Sequence, residues 1–470
     1  MKKGARTSDK KEMTRELARF CAGTRYEDIS PEAADRAKYF AMDFIGVAAR
    51  GSLEASTKTM YRFLGEFCHV AKGGVIIGTK NRAPYHYAAL ANGTSSHSLE
   101  MDDVSNEASL HPGVAVFPAA LAACEMSGKG PKRFIEAAVL GYEVMIRLGK
   151  ALGPKAHYAQ GFHGTGTCGT FGATIAASRV FGLTAAQTVD AMGIAGSQAA
   201  GSMEFLAHGA WTKRMHPGWA AHNGIFAALL AKKGFKGPST ILEGRDGFLH
   251  AYSPSSDYGS VAKELGRTWA ITRTSIKPHS CCRYMQGPID GILSIMKEHG
   301  LGPADIDEVA LGILKAGVTI VAVPGATKYA PKTVVDAQFS MPFGAAVAIL
   351  FGEATLDQFR QDRVDDPKVR EMMRRIRCVE DPRLEPLFPK QWPASVKLKT
   401  KQGKTFTAWV EYPRGDPENA LSWDELTAKF NRLTARVYTK DRASRIVCET
   451  RELEKVGNLA TWSALLQKDR

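Results

Sequence analysis

Long apolar runs are scarce in this chain of 470 residues. The longest, Phe343 to Phe351, has nine residues with a glycine among them, far short of the ~20 that span a bilayer, so no membrane-crossing helix is expected. Cysteine is sparse too, with eight residues placed singly except for Cys281 and Cys282. Adjacent cysteines are badly placed to bridge each other, which excludes a disulfide scaffold and points to reduced thiols in a cytoplasmic compartment. The segment Met1 to Glu16 mixes Lys2, Lys3 and Arg6 with Asp9 and Glu12 and has no apolar run behind it, so no secretory signal is expected. Internal repeats, low-complexity tracts and long Gly/Ser linkers are also lacking. Basic residues outnumber acidic ones for a net charge of +14, yet no block of like charge concentrates the excess. The charge alone would suit nucleic acid or small polycarboxylates equally, but the dispersed cations form no strip or recognition module, so no nucleic-acid partner is expected.

What is present is ordinary globular material, 44% apolar and 23% charged, in a length that fits two or three domains of about 150 residues. Ser30 before Pro31 reads as a helix start, and Ala37, Phe40, Ala41, Phe44, Ile45 and Ala48 follow at the spacing of one buried helical face. Ala- and Leu-rich stretches at Tyr85 to Ala91, Pro118 to Met126, Lys132 to Leu152 and His222 to Lys232, with a Thr184/Gln187 capping box, predict a large all-helical body. After about residue 270 the pattern changes. Ile271 to Ile276 alternates, Val309 to Ile313 is apolar, and Ser395 to Thr400 faces Thr405 to Tyr412 as a hairpin. Helices are predicted between these at Met285 to His299, Val334 to Leu350 and Pro367 to Arg377. The Ser422/Glu425 pair then opens another helix. The expected fold class is mainly α: a helical domain over 1–268, an inserted α+β domain over 269–413, and C-terminal helices over 414–470 that return to the first.

All twelve histidines lie between His69 and His299, so catalysis is expected there. The densest group is His97-Ser-Leu-Glu100-Met-Asp102-Asp103 with His111-Pro-Gly. Imidazoles and carboxylates at that spacing can transfer protons, hold a polar substrate or bind a metal, or the carboxylates can simply cap helix amides. A second group, Trp211-Thr-Lys213-Arg214-Met-His216, either is a basic helix start exposed to water or sets cations among apolar residues, where charge is costly unless an anion meets it. A lysine so placed can also serve as a base. The third is Lys277-Pro-His279-Ser-Cys281-Cys282-Arg283-Tyr284-Met-Gln286, a loop entering a helix, where amides and two cations suit an anion. Its neighbouring thiols are a poor iron–sulfur ligand set and read as packing residues.

Gly164-Thr-Gly166-Thr-Cys-Gly169 has the spacing of a dinucleotide fingerprint, but no strand precedes it and no acidic residue ends a second strand nearby. Small residues there suit close helix packing. His163, just ahead, is either a site residue or a satisfied structural histidine.

In this order the clusters resemble the MmgE/PrpD family, whose members include 2-methylcitrate dehydratase, cis-aconitate decarboxylase and iminodisuccinate epimerase. The resemblance rests on Asn92-Gly to Asp103, His111-Pro-Gly with Pro118-Ala-Ala-Leu, Gly161-Phe-His163-Gly-Thr-Gly and Ile194-Ala-Gly-Ser-Gln198. It continues through Trp211 to Trp219, Leu242 to Phe248 and Lys277 to Tyr284, and so spans nearly the whole chain. It implies a helical domain built from both chain ends, a smaller α+β lid, a homodimer, and chemistry with neither metal nor organic cofactor. Departures are Glu100 where an Asp is usual, Val104 where decarboxylase-like members carry Thr, Gln286 where a histidine often stands, and His279 where an aromatic is more usual.

The combined expectation is a cofactor-independent lyase that dehydrates a small hydroxy di- or tricarboxylate, 2-methylcitrate-like, by α-proton abstraction. An epimerase, a decarboxylase and a non-catalytic carboxylate-binding protein are the alternatives. Asp102, His111, Lys213 and His279 are the expected catalytic residues. His97, Glu100, Asp103, His163, Arg214, His216, Lys277, Arg283 and Gln286 are expected to bind substrate. Hydroxide is a poor leaving group and needs a general acid, and α-proton removal needs cations near the developing charge.

Overall fold

The computed structural model describes residues 12–68, 70 and 72–469; the segment Met1 to Lys11 and His69 lie outside them. The chain is mainly α and divides into two units. One unit holds the chain up to Ser98, Asp102–Thr274 and Trp423 onward; the other holds Leu99–Met101 and Ser275–Ser422.

The first unit is helical because its apolar residues recur at helical spacing between good caps. Ser30 Oγ accepts from Ala33 N–H at 3.2 Å and opens the helix Pro31–Gly51, and Thr184 and Gln187 form their reciprocal box ahead of Ala185–Gly196. The helix Gly164–Phe181 sits at the centre, packed by Pro131–Leu152, Gly113–Ser127 and Thr212–Lys232, and only Arg179 along it is not buried. Small residues let these helices close up. A Cβ on Gly93 would lie 2.6 Å from Gly218 Cα, so the helices Tyr85–Ser96 and Thr212–Lys232 touch backbone to backbone. Gly166 would meet Ala200 O at 2.4 Å, which explains the fingerprint-like glycines as packing contacts at a helix start preceded by a helix, Pro154–Ala159. Far down the chain, Lys429 on Trp423–Thr434 reaches back to Asp43 on Pro31–Gly51 in a buried 2.6 Å ion pair.

The second unit carries a four-stranded sheet. Its strand Ile306–Ile313 runs parallel to Ile376–Glu380 and antiparallel to Ala394–Thr400, which pairs antiparallel with Thr405–Val410. Lys399 opposite Thr405 closes the expected hairpin. Gln286–Glu298 packs on the hairpin strands, and Gly291 lets Val396 approach. The chain's longest apolar run lies in the helix Met341–Phe351, whose residues Met341 to Ile349 are buried in this unit's core with Met285, Ile289 and Phe359. No helix among the described residues is long and apolar enough to cross a membrane.

Three segments differ from expectation. Ile271 to Ile276 is a 3-10 turn, Ala270–Arg273, followed by two extended residues, because Glu143 accepts from Ala270 N–H at 2.7 Å and Ile271 is drawn inside. Val334 to Leu350 is two helices, broken where Ser340 caps Met341–Phe351 and Pro342 enters its first turn. Pro367–Met373 ends early, and Ile376–Glu380 becomes the edge strand beside Ile306–Ile313.

Candidate functional site

In the first unit a helix end, a tight loop and a helix start converge. The helix Tyr85–Ser96 delivers His97 fully buried at its C-terminus. Ser105 and Leu110 bond to each other across the following loop and bring the chain back to His111 and the helix Gly113–Ser127. The backbone N–H of His111 is held by Thr165 Oγ1 at 3.1 Å.

Asp102 Oδ2 is shared by two imidazoles. It accepts from His97 Nδ1 at 2.7 Å and stands 3.1 Å from His111 Nδ1. His111 Nδ1 also faces the carbonyl oxygen of Asp103 at 2.6 Å. A carbonyl can only accept, so His111 Nδ1 carries hydrogen, and the neutral ring presents a lone pair at Nε2. The same logic leaves Nε2 as the basic nitrogen of His97, and that atom is buried without a hydrogen-bond partner among the described residues.

Asp103 does different work from its neighbour. Its carboxyl takes the Gly113 N–H at 3.0 Å and the Tyr142 hydroxyl at 2.6 Å, so it caps the helix start behind His111. Burial pushes it up to about 8. Its oxygens serve a helix amide and a buried phenol, which gives this expected substrate-binding residue a positioning role in the framework.

Three further candidates lie in the same unit. His163 stands directly before Gly164–Phe181, its N–H held by Gly201 O at 2.9 Å, and Lys213, Arg214 and His216 occupy the first turns of Thr212–Lys232. His163 Nδ1 meets His216 Nδ1 at 3.0 Å. The ring centroids of His111–His97, His97–His163 and His163–His216 are 5.1, 5.7 and 5.3 Å apart, one continuous row of four imidazoles. Burial pushes His97 and His216 down to about 4 and His163 well below the usual imidazole range, and the Lys213 charge adds to all three shifts. In His97 the Asp102 carboxylate pulls the other way. Arg214 donates to Ser56 Oγ at 2.9 Å.

In the second unit Lys277 is fully buried with Glu100 Oε2 3.6 Å from its Nζ. Glu100 has φ 55°, an uncommon backbone state for a non-glycine residue. Arg283 is paired with Asp416 at 2.5 Å, which Ser275 also reaches. His279 Nε2 bonds Asp290 Oδ1 at 2.9 Å, and the other oxygen of Asp290 takes Arg414 N–H. Gln286 is fully buried: its Oε1 accepts from His279 N–H and its Nε2 donates to His279 O and Cys281 O, each at 3.1 Å. Its amide is thus committed to holding the loop. Arg283 likewise already has its carboxylate, from within the protein. Both of these expected substrate-binding residues make internal contacts within the second unit.

Sequence reasoning missed Tyr142, Thr165, Asp290 and Asp416. Each belongs to a distant segment and bears no local signal beyond a polar residue at a helical or loop position. Among the described residues no group of three or more His, Cys, Asp and Glu side chains is arranged to hold a metal ion.

Residues 15–260 match the MmgE/PrpD N-terminal domain and residues 279–455 match the MmgE/PrpD C-terminal domain. The chain belongs to the MmgE/PrpD family. Among curated relatives, the chain is 27% identical to a cis-aconitate decarboxylase-like protein of Aspergillus oryzae over 97% of both chains. It is 25% identical to the cis-aconitate decarboxylase of Aspergillus terreus, over 99% of this chain and 98% of the relative. It is 26% identical to the Mus musculus cis-aconitate decarboxylase, over 97% and 94%. The latter two are named for a decarboxylase, which is a lyase activity, and the imidazole row of this MmgE/PrpD chain falls within its N-terminal family domain.

Proposed function

We propose that this MmgE/PrpD protein is a cofactor-independent lyase of small di- or tricarboxylates that works by proton transfer at carbon next to a carboxylate. The observation that carries the reading is the sharing of Asp102 Oδ2 by His97 and His111, which fixes both Nδ1 atoms as donors and turns both Nε2 atoms into bases. His111 acts as the proton carrier, Asp102 orients it and stabilises its imidazolium, and the Lys213 cation offsets negative charge that develops on the substrate. Loss of carbon dioxide leaves an electron pair that a proton must quench, and an imidazolium backed by a carboxylate supplies it.

Decarboxylation of cis-aconitate is the first reaction to test, supported by the activity for which the relatives are named. Dehydration of a 2-methylcitrate-like hydroxy acid is the second reading, supported by the presence of two Asp102-held imidazoles, because hydroxide loss needs an acid as well as a base. The purified protein is incubated with each acid in heavy water and followed by NMR and carbon dioxide release. Carbon dioxide with a deuterated product supports decarboxylation, an olefin from the hydroxy acid supports dehydration, and deuterium without elimination would make it an epimerase. Absence of all three across a panel of such acids overturns the reading in favour of a carboxylate-binding protein. The homodimer implied by family resemblance is part of the proposal, and sedimentation at micromolar concentration tests it.

A further inference from the structure

The contact between His163 and His216 joins two like atoms, Nδ1 to Nδ1, at 3.0 Å. With no hydrogen between them two lone pairs would face each other, and with two hydrogens two N–H groups would. The distance therefore requires one hydrogen between the rings. In the neutral pair one imidazole is the Nδ1–H tautomer with a lone pair at Nε2, and the other is the Nε2–H tautomer. The pair consequently presents one acceptor and one donor at its two outer nitrogens.

We propose that His163 and His216 form a two-imidazole proton relay: a proton taken up at His163 Nε2 leaves from His216 Nε2 as the hydrogen between the Nδ1 atoms passes across. The balance closes with no added reagent. Before transfer His163 carries hydrogen on Nδ1 and His216 on Nε2. Protonation of His163 Nε2 makes an imidazolium, its Nδ1–H bond breaks as the Nδ1–H bond of His216 forms, and the His216 imidazolium then releases its Nε2 proton. His163 is the inner end, beside His97 in the row that leads to His111, and His216 is the more exposed of the two, at 9% against 2%.

The framework holds this geometry. Gly201 O fixes the His163 backbone, and Gly166 lets the two helix starts close up, its missing Cβ lying 3.3 Å from the His216 Cβ. The charged and titratable groups facing the pair are Lys213, His97, His111 and Tyr158, whose ring centroid lies 6.5 Å from that of His163, and Phe205 covers both rings. Lys213 disfavours any resting charge on either ring, so a captured proton moves on. The proposal rests on the lyase reading for its use in turnover, and the hydrogen between the rings does not depend on it.

Two experiments separate these. Nitrogen-15 spectra of the histidine-labelled full chain near pH 7 are expected to show one Nδ1–H and one Nε2–H tautomer at His163 and His216, assigned with single variants. Two Nε2–H tautomers would overturn the proposal whatever the protein's substrate. His216→Asn sets an amide where Nδ1 was and keeps the hydrogen bond to His163, but cannot pass a proton on. On whichever acid the heavy-water assay shows to react, it is expected to lose about 10²-fold or more in turnover. It should keep its melting temperature and KM, and added imidazole should partly rescue His216→Ala. His216→Asn retaining turnover within threefold, with an unchanged pH–rate profile, would show the contact to be structural.

Discussion

Replacing Asp102 by asparagine removes one charge and almost no volume from the centre of the imidazole row. The carboxylate oxygen lies 3.1 Å from His111 Nδ1 and 2.7 Å from His97 Nδ1. At an effective dielectric of about 20, a unit charge pair at the longer distance is worth about 5 kcal/mol to the imidazolium form of His111. Asparagine keeps a carbonyl that can still accept one of the two N–H groups, so a loss of about 3 to 4 kcal/mol is expected, or about 10²–10³ in turnover. The adjacent residue is the control. Burial pushes the Asp103 carboxyl to about 8, so it is largely neutral at pH 7, and asparagine can replace it while holding Tyr142 and the Gly113 amide. Asp103→Asn is expected to cost less than about tenfold. Melting temperature of both variants would be measured, and turnover on whichever acid the heavy-water assay shows to react. If Asp102→Asn stays within threefold of the parent, or Asp103→Asn is equally damaging, the roles assigned to the two acids are wrong.

Three further outcomes are expected. His97, His163 and His216 have depressed values in the fold, so as pH falls from about 6.5 towards 4 the unfolded chain takes up protons that the fold does not, while Asp103 works in the opposite sense; these four groups alone give a net of about two protons, or about 3 kcal/mol per pH unit, the lowered His86, His157 and His222 add to it, and a urea midpoint equal at pH 5 and pH 6.5 would refute buried neutral imidazoles. Gly218→Ala would place a Cβ 2.3 Å from Leu90 O and force the Tyr85–Ser96 and Thr212–Lys232 helices apart, so a loss of about 2 kcal/mol or more is expected by chemical denaturation. Gln286→His forfeits three internal hydrogen bonds at about 1 kcal/mol each, so stability should fall by about 3 kcal/mol with no shift in the pH–rate profile; a stable variant with altered chemistry would return Gln286 to the substrate.

Much of this was legible in the sequence where a signal is local. The Ser30 cap, the Thr184/Gln187 box and the hairpin around Gly403 depend on residues within a few positions, and they form as expected. The motifs from Asn92 to Tyr284, taken together and in order, carried enough identity to place the chain in its family. The break at Ser340 and the edge strand at Ile376–Glu380 were not legible, because apolar runs of that length suit helix and strand alike until a tertiary partner chooses. The division of labour between Asp102 and Asp103 was hidden for the same reason. Two consecutive carboxylates look alike, and only Tyr142 and the amide of Gly113 decide which one is spent on the framework.

The discontinuous course of the chain also orders its birth. Three residues from the early part, Leu99–Met101, belong to the second unit, where Leu99 O receives Ser280 Oγ and Gln338 Nε2 and Glu100 faces the buried Lys277 ammonium. A fragment cut at 275–422 would keep that lysine without its carboxylate and should fold poorly, so the second unit cannot be excised as a contiguous piece. The helical unit has the converse dependence. Asp43 is made early on the ribosome, whereas Lys429, with which it forms a buried ion pair, lies on a helix that follows the inserted unit. Translation therefore finishes the inserted unit before the unit that contains it, and a chain stalled before residue 423 should remain a client of chaperones.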